Sequence, residues 1–438
     1  MGINKTAISG FPTNVITNPQ DLLKLLITLI LITLPLENIF VSIATIGFVL
    51  IGIALNKRQK INYEKSVFMP FLFFIVMAFS LFWTNNFNDS LSGLQKSLSF
   101  IVIPAVFIII PKISEESKYN IFRFYSFGML FYAVLYFANA CLNYYYTQNR
   151  ESFFNKNLVP DDPGSIYMSV FTSFALFYFV QLKKKNNIDK IALILISTFI
   201  FLLSSKSIIT IDFVIIICFY AFYAKISQGT KALTISAVSL FLFFSIFFVK
   251  EVKERFFLEF ETAFVDNISS KNNNIDSTSI HNVSLAEAWK NKSFKQSDFF
   301  PGTAIRVYQI RVYKEIQQES STFFTGLGLE ASQEVIRKKA LEHNLNKEYG
   351  EYNFHNQYIQ SLSEIGVFGL LVLIVMLFLN LFNGIQKKDF LHIAFAITMI
   401  LLFLSESFFC RQRGIVFFII LYCLFNFNYS FKHRDNTL

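Results

Sequence analysis

Twelve apolar runs, each sixteen to twenty-six residues long, follow one another along the chain, near 20–36, 38–56, 66–84, 96–111, 122–144, 164–182, 190–205, 207–224, 232–249, 357–382, 389–405 and 414–429. A run of this length matches the hydrocarbon thickness of a bilayer, and soluble domains rarely repeat it. With 53% hydrophobic residues, 56 Phe and a mean hydropathy of +0.46, the 438-residue chain reads as an all-α polytopic membrane protein of about twelve transmembrane helices. The nearly fused first pair, and the pair meeting at Ser205-Lys206, read as helical hairpins. The start of the chain lacks the basic, apolar and small-residue order of a cleavable signal, so the first run is expected to stay as a span. No internal repeat is visible.

The net charge of +9 does not point to nucleic acid, because Lys and Arg cluster in the short segments between apolar runs. Placing the N-terminus in the cytoplasm gives that side Lys57, Arg58, Lys60, Lys65, Lys112, Lys118, Arg123, Lys183, Lys184, Lys185 and Lys190. It also receives Lys225, Lys231, Lys387, Lys388, Lys432 and Arg434, seventeen in all. The short loops of the other side hold five: Arg150, Lys156, Lys206, Arg411 and Arg413. The positive-inside rule then sets both termini in the cytoplasm. Cys141, Cys218, Cys410 and Cys423 have no pair spacing, which argues against a disulfide framework or a metal site.

Three parts follow. Residues 1–249 carry spans one to nine, 250–356 form one long loop on the outer side, and 357–438 carry spans ten to twelve and a cytoplasmic end. Within the loop, Asn267 to Ser297 is polar and without period, and reads as loose chain. From 304 to 318, Ile305, Tyr308, Val312 and Ile316 recur near a 3.6 period, which predicts an amphipathic helix lying on the membrane surface. A turn at Gly326-Leu327-Gly328 precedes a charged helix with Arg337, Lys338 and Lys339.

Ionisable groups at the bilayer are costly, which makes them candidates for function. On the outer side these are Arg306 and Arg311 on the proposed surface helix, Lys206 in its bend, Arg411 and Arg413 in the last outer turn, and His355-Asn356 before span ten. Cations converging there suit a lipid-linked phosphate or pyrophosphate, since guanidinium forks match phosphate oxygens. Plainer readings stand beside this one. An arginine at a helix end is a snorkelling anchor, Lys206 caps a turn, and a histidine at a helix start, or His343 in the charged loop, satisfies local hydrogen bonds. His355 is set apart by Gly366 and Gly369. On a continuous helix at about 100° per residue they lie roughly 20° and 40° from it, with Gly366 about 16 Å away along the axis. Small residues there would seat a neighbouring helix and aim the histidine.

At these residues the sequence resembles the O-antigen ligase and polymerase family of bacterial envelope glycosyltransferases. That family's pattern of His, then Asn, Ser or Gln, nine residues, Gly, two residues, and Gly, Thr or Tyr is met by His355-Asn356, Gly366 and Gly369. An Arg about twenty residues before a Gly-x-Gly is met by Arg306 with Gly326 and Gly328. One position departs: Ser205-Lys206 stands where the family commonly has Ser-Arg, keeping the charge and losing the bidentate fork.

The resemblance implies a GT-C-like membrane fold with one long periplasmic loop between helices nine and ten. It also implies transfer of a polysaccharide from undecaprenyl pyrophosphate, at the periplasmic face of the inner membrane, without a metal, cofactor or nucleotide sugar. The expected partners are that lipid-linked polysaccharide, a lipid A–core or other glycan acceptor, and membrane lipids. His355 and Arg306 are the expected catalytic pair. Lys206, Arg311, Asn356, Arg411 and Arg413 are expected at the substrates. Ligase is the leading expectation, with polymerase or protein O-oligosaccharyltransferase as alternatives and a flippase as a reading from another class.

Overall fold

The computed structural model describes residues 19–55, 65–111, 113–248, 253, 257, 267–269 and 280–427. Lys57, Arg58, Lys60, Lys112, Lys432 and Arg434 of the charge count lie outside them, as does the stretch 270–279. Helices α1 (Pro19–Thr33) and α2 (Asn38–Ala54) pack as the expected hairpin. They are followed by α3 (Phe68–Phe79), α4 (Phe87–Lys96), α5 (Ser99–Ile109), α6 (Glu115–Thr147), α7 (Gly164–Gln181), α8 (Asn187–Leu203), α9 (Lys206–Cys218) and α10 (Gln228–Phe248). After the polar segment come α14 (Gln357–Lys387), α15 (Phe390–Leu402) and α16 (Gln412–Asn426). Each of the twelve apolar runs falls on one of these helices.

Among the described residues, five helical stretches are by length and composition long and apolar enough to cross a membrane: Phe87–Ile109, Glu115–Thr147, Gly164–Gln181, Lys206–Tyr223 and Gln357–Lys387. Others are shorter, α16 among them. Fifteen residues rise only about 22 Å, against roughly 30 Å of hydrocarbon. The second expected hairpin is different from the first. Ser204 turns the chain in the left-handed region (φ 54°), and α9 packs chiefly on α7 and α15.

The bundle closes around α16, which is buried without a break from Arg413 to Asn426. Its sequence GIVFFIILYCLFN has no polar face, and such a helix belongs inside a bundle. Phe417 meets Phe171 of α7 at 5.0 Å between ring centres, and Phe425 meets Phe395 of α15 at 5.7 Å. Aromatic pairs of this kind, one tilted and one stacked, contribute about 0.5–1.5 kcal/mol each beyond area burial. At one end of the bundle, cations of the larger charge group meet neighbouring helices. Lys118 pairs with Asp389, and Lys387 donates to the Phe425 carbonyl.

The other end carries a cap. Strands β1 (Asn267–Ser269) and β2 (Ile280–Asn282) pair antiparallel, a small exception to an all-α fold. Then α11 (Leu285–Lys290) starts from a capping box of Ser284 and Glu287, so part of the expected loose chain is ordered. Helices α12 (Gly302–Glu319) and α13 (Ser332–Glu342) complete it. The apolar face of α12 is not on a membrane surface. Ile305, Tyr308, Val312 and Ile316 are buried in a second core with Phe294, Phe300, Ile336 and Phe354. The 3.6 period was a correct signal of one buried face; what covers it is protein.

Cap and bundle are joined where α14 breaks. Gly366 adopts φ 67°, ψ −172°, a region open to glycine alone, and interrupts the helix. The carbonyls of Ser363 and Glu364 accept from the amides of Leu327 and Gly328 at 2.8 and 2.9 Å, and the Val367 amide donates to the Phe323 carbonyl at 3.0 Å. The other side of this loop is held by the connection between α3 and α4 and by α4 itself. Trp83 Nε1 donates to the Thr325 carbonyl, Ser80 Oγ accepts from the Leu329 amide, and Lys96 pairs with Glu330 at 2.6 Å.

The straight helix expected from His355 to Gly369 is therefore corrected. His355 precedes α14 in the left-handed region (φ 46°), and the helix is broken at Gly366. Gly366 serves backbone contact with the cap loop rather than with a neighbouring helix. A Cβ on Gly366 would overlap the Phe324 carbonyl, one on Gly326 the Glu364 carbonyl, and one on Gly328 the Thr84 side chain. Gly369 is filled by Ile365 from across the break.

Gly366→Ala is expected to lose about 1–3 kcal/mol from backbone strain alone, with the overlap adding to it. Gly229→Ala, at an open position of α10, is expected to be neutral or mildly stabilising. Thermal unfolding of both variants in detergent checks this; a Gly366→Ala variant as stable as wild type would contradict the geometry.

Candidate functional site

At the capped end lies a cavity of about 480 Å³. Lys156, Lys206, Arg306 and Arg411 line it together with His355, and the carboxylates there are Asp161 and Glu406. Five separate parts of the chain supply these groups.

Each is set by its local fold. Lys206 is the first residue of α9, immediately after the left-handed Ser204 and the N-cap Ser205. A helix N-terminus presents unpaired amides and the positive end of its dipole, which favours an anion at the same place. Arg306 stands one turn into α12. Its Nη1 donates to the Gly302 carbonyl at 3.0 Å and its Nε to the Ser405 carbonyl at 3.1 Å. Nη2 has no partner among the described residues, so the fork is fixed in direction and keeps donors for a ligand. Arg411 lies over the Tyr167 ring at 5.2 Å and donates to the Pro163 carbonyl at 3.1 Å.

His355 is held by its backbone, with its amide donating to Asn353 Oδ1 at 2.9 Å. The Tyr352 ring meets the imidazole edge-on at 5.5 Å, and Nδ1 lies 3.7 Å from Glu406 Oε2. His355 and Arg306 also border a second cavity, of about 630 Å³, formed within the cap. Its other walls include Phe299, Asn346, Glu348, Tyr349 and Tyr352. The two residues thus form the partition between a cationic cavity and one lined by aromatic and amide groups.

Three expected site residues are placed elsewhere. Arg311 is buried inside the cap, paired with Glu315 at 2.7 Å and donating to the Asn291 carbonyl at 2.5 Å. Five residues along a helix is about 500°, so Arg311 faces away from Arg306 by roughly 140°. Asn356 caps α14, accepting from the Ile359 amide at 3.0 Å and donating to the Leu404 carbonyl at 3.1 Å. Its side chain serves the helix start. Arg413 is buried in α16, bound to Asp162 at 2.6 Å and to the Leu34 carbonyl at 3.2 Å. It ties the loop before α7 to the α1–α2 turn. His343 is bound by the Tyr308 hydroxyl at 2.9 Å, and burial pushes its imidazole below the usual range.

Sequence reasoning missed Lys156 and Glu406. Lys156 was counted only as a topological charge. Glu406 is an acid at the end of an apolar run, and the cost of placing it there was the signal that could have found it.

Residues 191–374 match the model of the O-antigen ligase family, about two fifths of the chain. These residues belong to the O-antigen ligase family. The matched stretch runs from α8 into α14 and contains Lys206, Arg306, His355 and the paired glycines of the cap junction. Arg411 and Glu406 lie beyond it. No curated protein matches the chain. The match over this stretch, with several membrane-length apolar helices, supports a multi-pass membrane protein of O-antigen ligase or polymerase type, a glycosyltransferase-like enzyme with glycan and lipid-linked substrates.

The contacts separate Arg311 from Arg306. Arg311→Ala is expected to destabilise the cap by about 1–3 kcal/mol, because buried acceptors lose their donor. Arg306→Ala should unfold closer to wild type. Calorimetry of the two purified variants checks the order; the reverse order would mean that Arg306, and not Arg311, is the structural residue.

Proposed function

We propose that the chain is an O-antigen ligase, transferring polysaccharide from undecaprenyl pyrophosphate to a hydroxyl of lipid A–core at the periplasmic face of the inner membrane. The observation that carries this is the single cavity where Lys156, Lys206, Arg306 and Arg411 meet His355. Four cations against Asp161 and Glu406 leave the cavity net positive, as a pyrophosphate requires. The lipid tail has a place too. An apolar cavity of about 610 Å³ opens between α8, α9 and α10, on the helices whose ends hold Ser204 and Lys206. The aromatic and amide groups of the second cavity suit a sugar acceptor.

In this reading, Arg306 and Lys206 hold the pyrophosphate, assisted by Arg411. His355 takes the proton from the acceptor hydroxyl. The oxygen bonds to the anomeric carbon as the bond from that carbon to the phosphate oxygen breaks, and the electron pair leaves on the pyrophosphate. Fixed cations stabilise charge that grows on the leaving group, and removing such a donor typically costs about 10²–10³ in rate. Removing a general base costs about 10²–10⁴. The charge distribution supports a reading with both termini in the cytoplasm.

Gene deletion followed by lipopolysaccharide electrophoresis tests the assignment. Loss of all polymer from the core, with polymer accumulating on the lipid carrier, is the expected result. Core bearing a single repeat unit would mean polymerase, and unchanged lipopolysaccharide with underglycosylated envelope proteins would mean protein glycosylation. In complementation, His355→Ala and Arg306→Ala should insert normally yet attach no polymer, while Lys206→Arg should restore attachment. Normal attachment by both well-expressed alanine variants would contradict the site.

A further inference from the structure

The turn between α15 and α16, Leu404–Ser407, touches every part of the partition between the two cavities. Its Ser405 carbonyl holds Arg306 Nε. Its Leu404 carbonyl and Ser407 hydroxyl hold the side chain and amide of Asn356, the residue after His355. Just before it, the Phe403 carbonyl accepts from the Gln357 amide at 2.8 Å. One residue of the turn remains, Glu406, and its Oε2 lies 3.7 Å from His355 Nδ1.

Both of these atoms are buried, and neither has a hydrogen-bond partner among the described residues. A buried carboxylate oxygen and a buried ring nitrogen without partners are each costly, and the two unmet needs face each other. The side chains are 10% and 25% exposed respectively, so the pair is sheltered while part of the imidazole still borders the cavities. A separation of 3.7 Å is an ion-pair distance slightly long for a hydrogen bond. Such contacts in an empty site commonly tighten when substrate is bound.

We infer that Glu406 is the positioning residue for His355, accepting a hydrogen bond from Nδ1–H so that Nε2 is the bare nitrogen presented to the acceptor hydroxyl. This rests on the reading of His355 as the base. The proton leaving the hydroxyl then goes to Nε2, and the resulting imidazolium is paired by the Glu406 carboxylate as the glycosidic bond forms and the pyrophosphate departs. The same turn would fix the direction of both the base, through Glu406, and the phosphate-binding guanidinium, through the Ser405 carbonyl. The partner of a ring nitrogen decides which nitrogen carries the proton.

The test is nitrogen-15 NMR of the full chain in detergent, labelled at its five histidines and recorded where the imidazoles are neutral. His355→Gln assigns the signal. The wild type and Glu406→Asp should show His355 with its proton on Nδ1, and Glu406→Ala should shift the proton toward Nε2. In transfer from a polyprenyl-pyrophosphate donor, Glu406→Ala should lower kcat on the order of ten- to a hundredfold, a part of what a general base contributes. KM for the donor should stay unchanged, and Glu406→Asp should recover part of the rate. An unchanged proton position in a folded Glu406→Ala variant, or an unchanged kcat, would overturn the inference. Transfer that survives His355→Gln would defeat the reading of His355 as base, while the proton position would still decide whether the two side chains are paired.

Discussion

The arrangement depends on one exchange of backbone hydrogen bonds. A membrane helix cannot be opened cheaply, because each amide or carbonyl freed in the bilayer core costs several kcal/mol if left unmet. Helix α14 is nevertheless broken at Gly366, and the freed groups of Ser363, Glu364 and Val367 are met by Phe323, Leu327 and Gly328 of the cap. The break is stable only because the loop is in it, and the loop keeps its course only because the break receives it. Three glycines at positive φ, Gly326, Gly328 and Gly366, make the close approach possible. A buried side-chain network of Gln360, Ser332 and Glu364 reinforces it one turn away.

The consequence for the site is direct. Arg306 belongs to the cap, Lys206 and Arg411 belong to helix ends of the bundle, and His355 lies on the return from cap to bundle. These groups share a cavity only if the cap has a fixed seat. The junction at Gly366 supplies that seat on one side, and the Leu404–Ser407 turn supplies it on the other. The first contact is made by residues that do not line the cavity, while the second grips Arg306 itself through the Ser405 carbonyl. A cavity proposed to hold a diphosphate gathers cations that repel one another, and tethers of this kind keep them together.

Much of this could be read in the sequence, and the limits have physical causes. Each apolar run falls on a helix, because hydropathy over sixteen or more residues depends little on neighbours. The 3.6 period of α12 identified its buried face, yet the pattern is the same whether lipid or protein covers it, so the surface placement failed. The His355, Gly366, Gly369 spacing marked the right residues for the wrong reason. Continuous helical geometry was assumed, and a glycine at φ 67° breaks the arithmetic that puts three residues on one face. Arg311 and Arg413 were indistinguishable from Arg306 and Arg411 by charge and side of the membrane. What separates them is whether the guanidinium is buried on its acceptors, as Arg311 is on Glu315 and Arg413 on Asp162 at 2.6 Å, while Arg411 meets the same Asp162 only at 3.4 Å and stays exposed. Glu406 was legible as a costly acid, and its partner was not.

The central claim is that this cavity breaks a sugar–pyrophosphate bond and hands the sugar to a hydroxyl. Reconstitution of the purified full chain in vesicles, with a polyprenyl-pyrophosphate-linked glycan and lipid A–core, measures that directly. The account predicts one glycosylated acceptor for each polyprenyl pyrophosphate released, and no release when the acceptor is omitted. Active, well-folded protein that binds the donor yet leaves lipid A–core unmodified would contradict it.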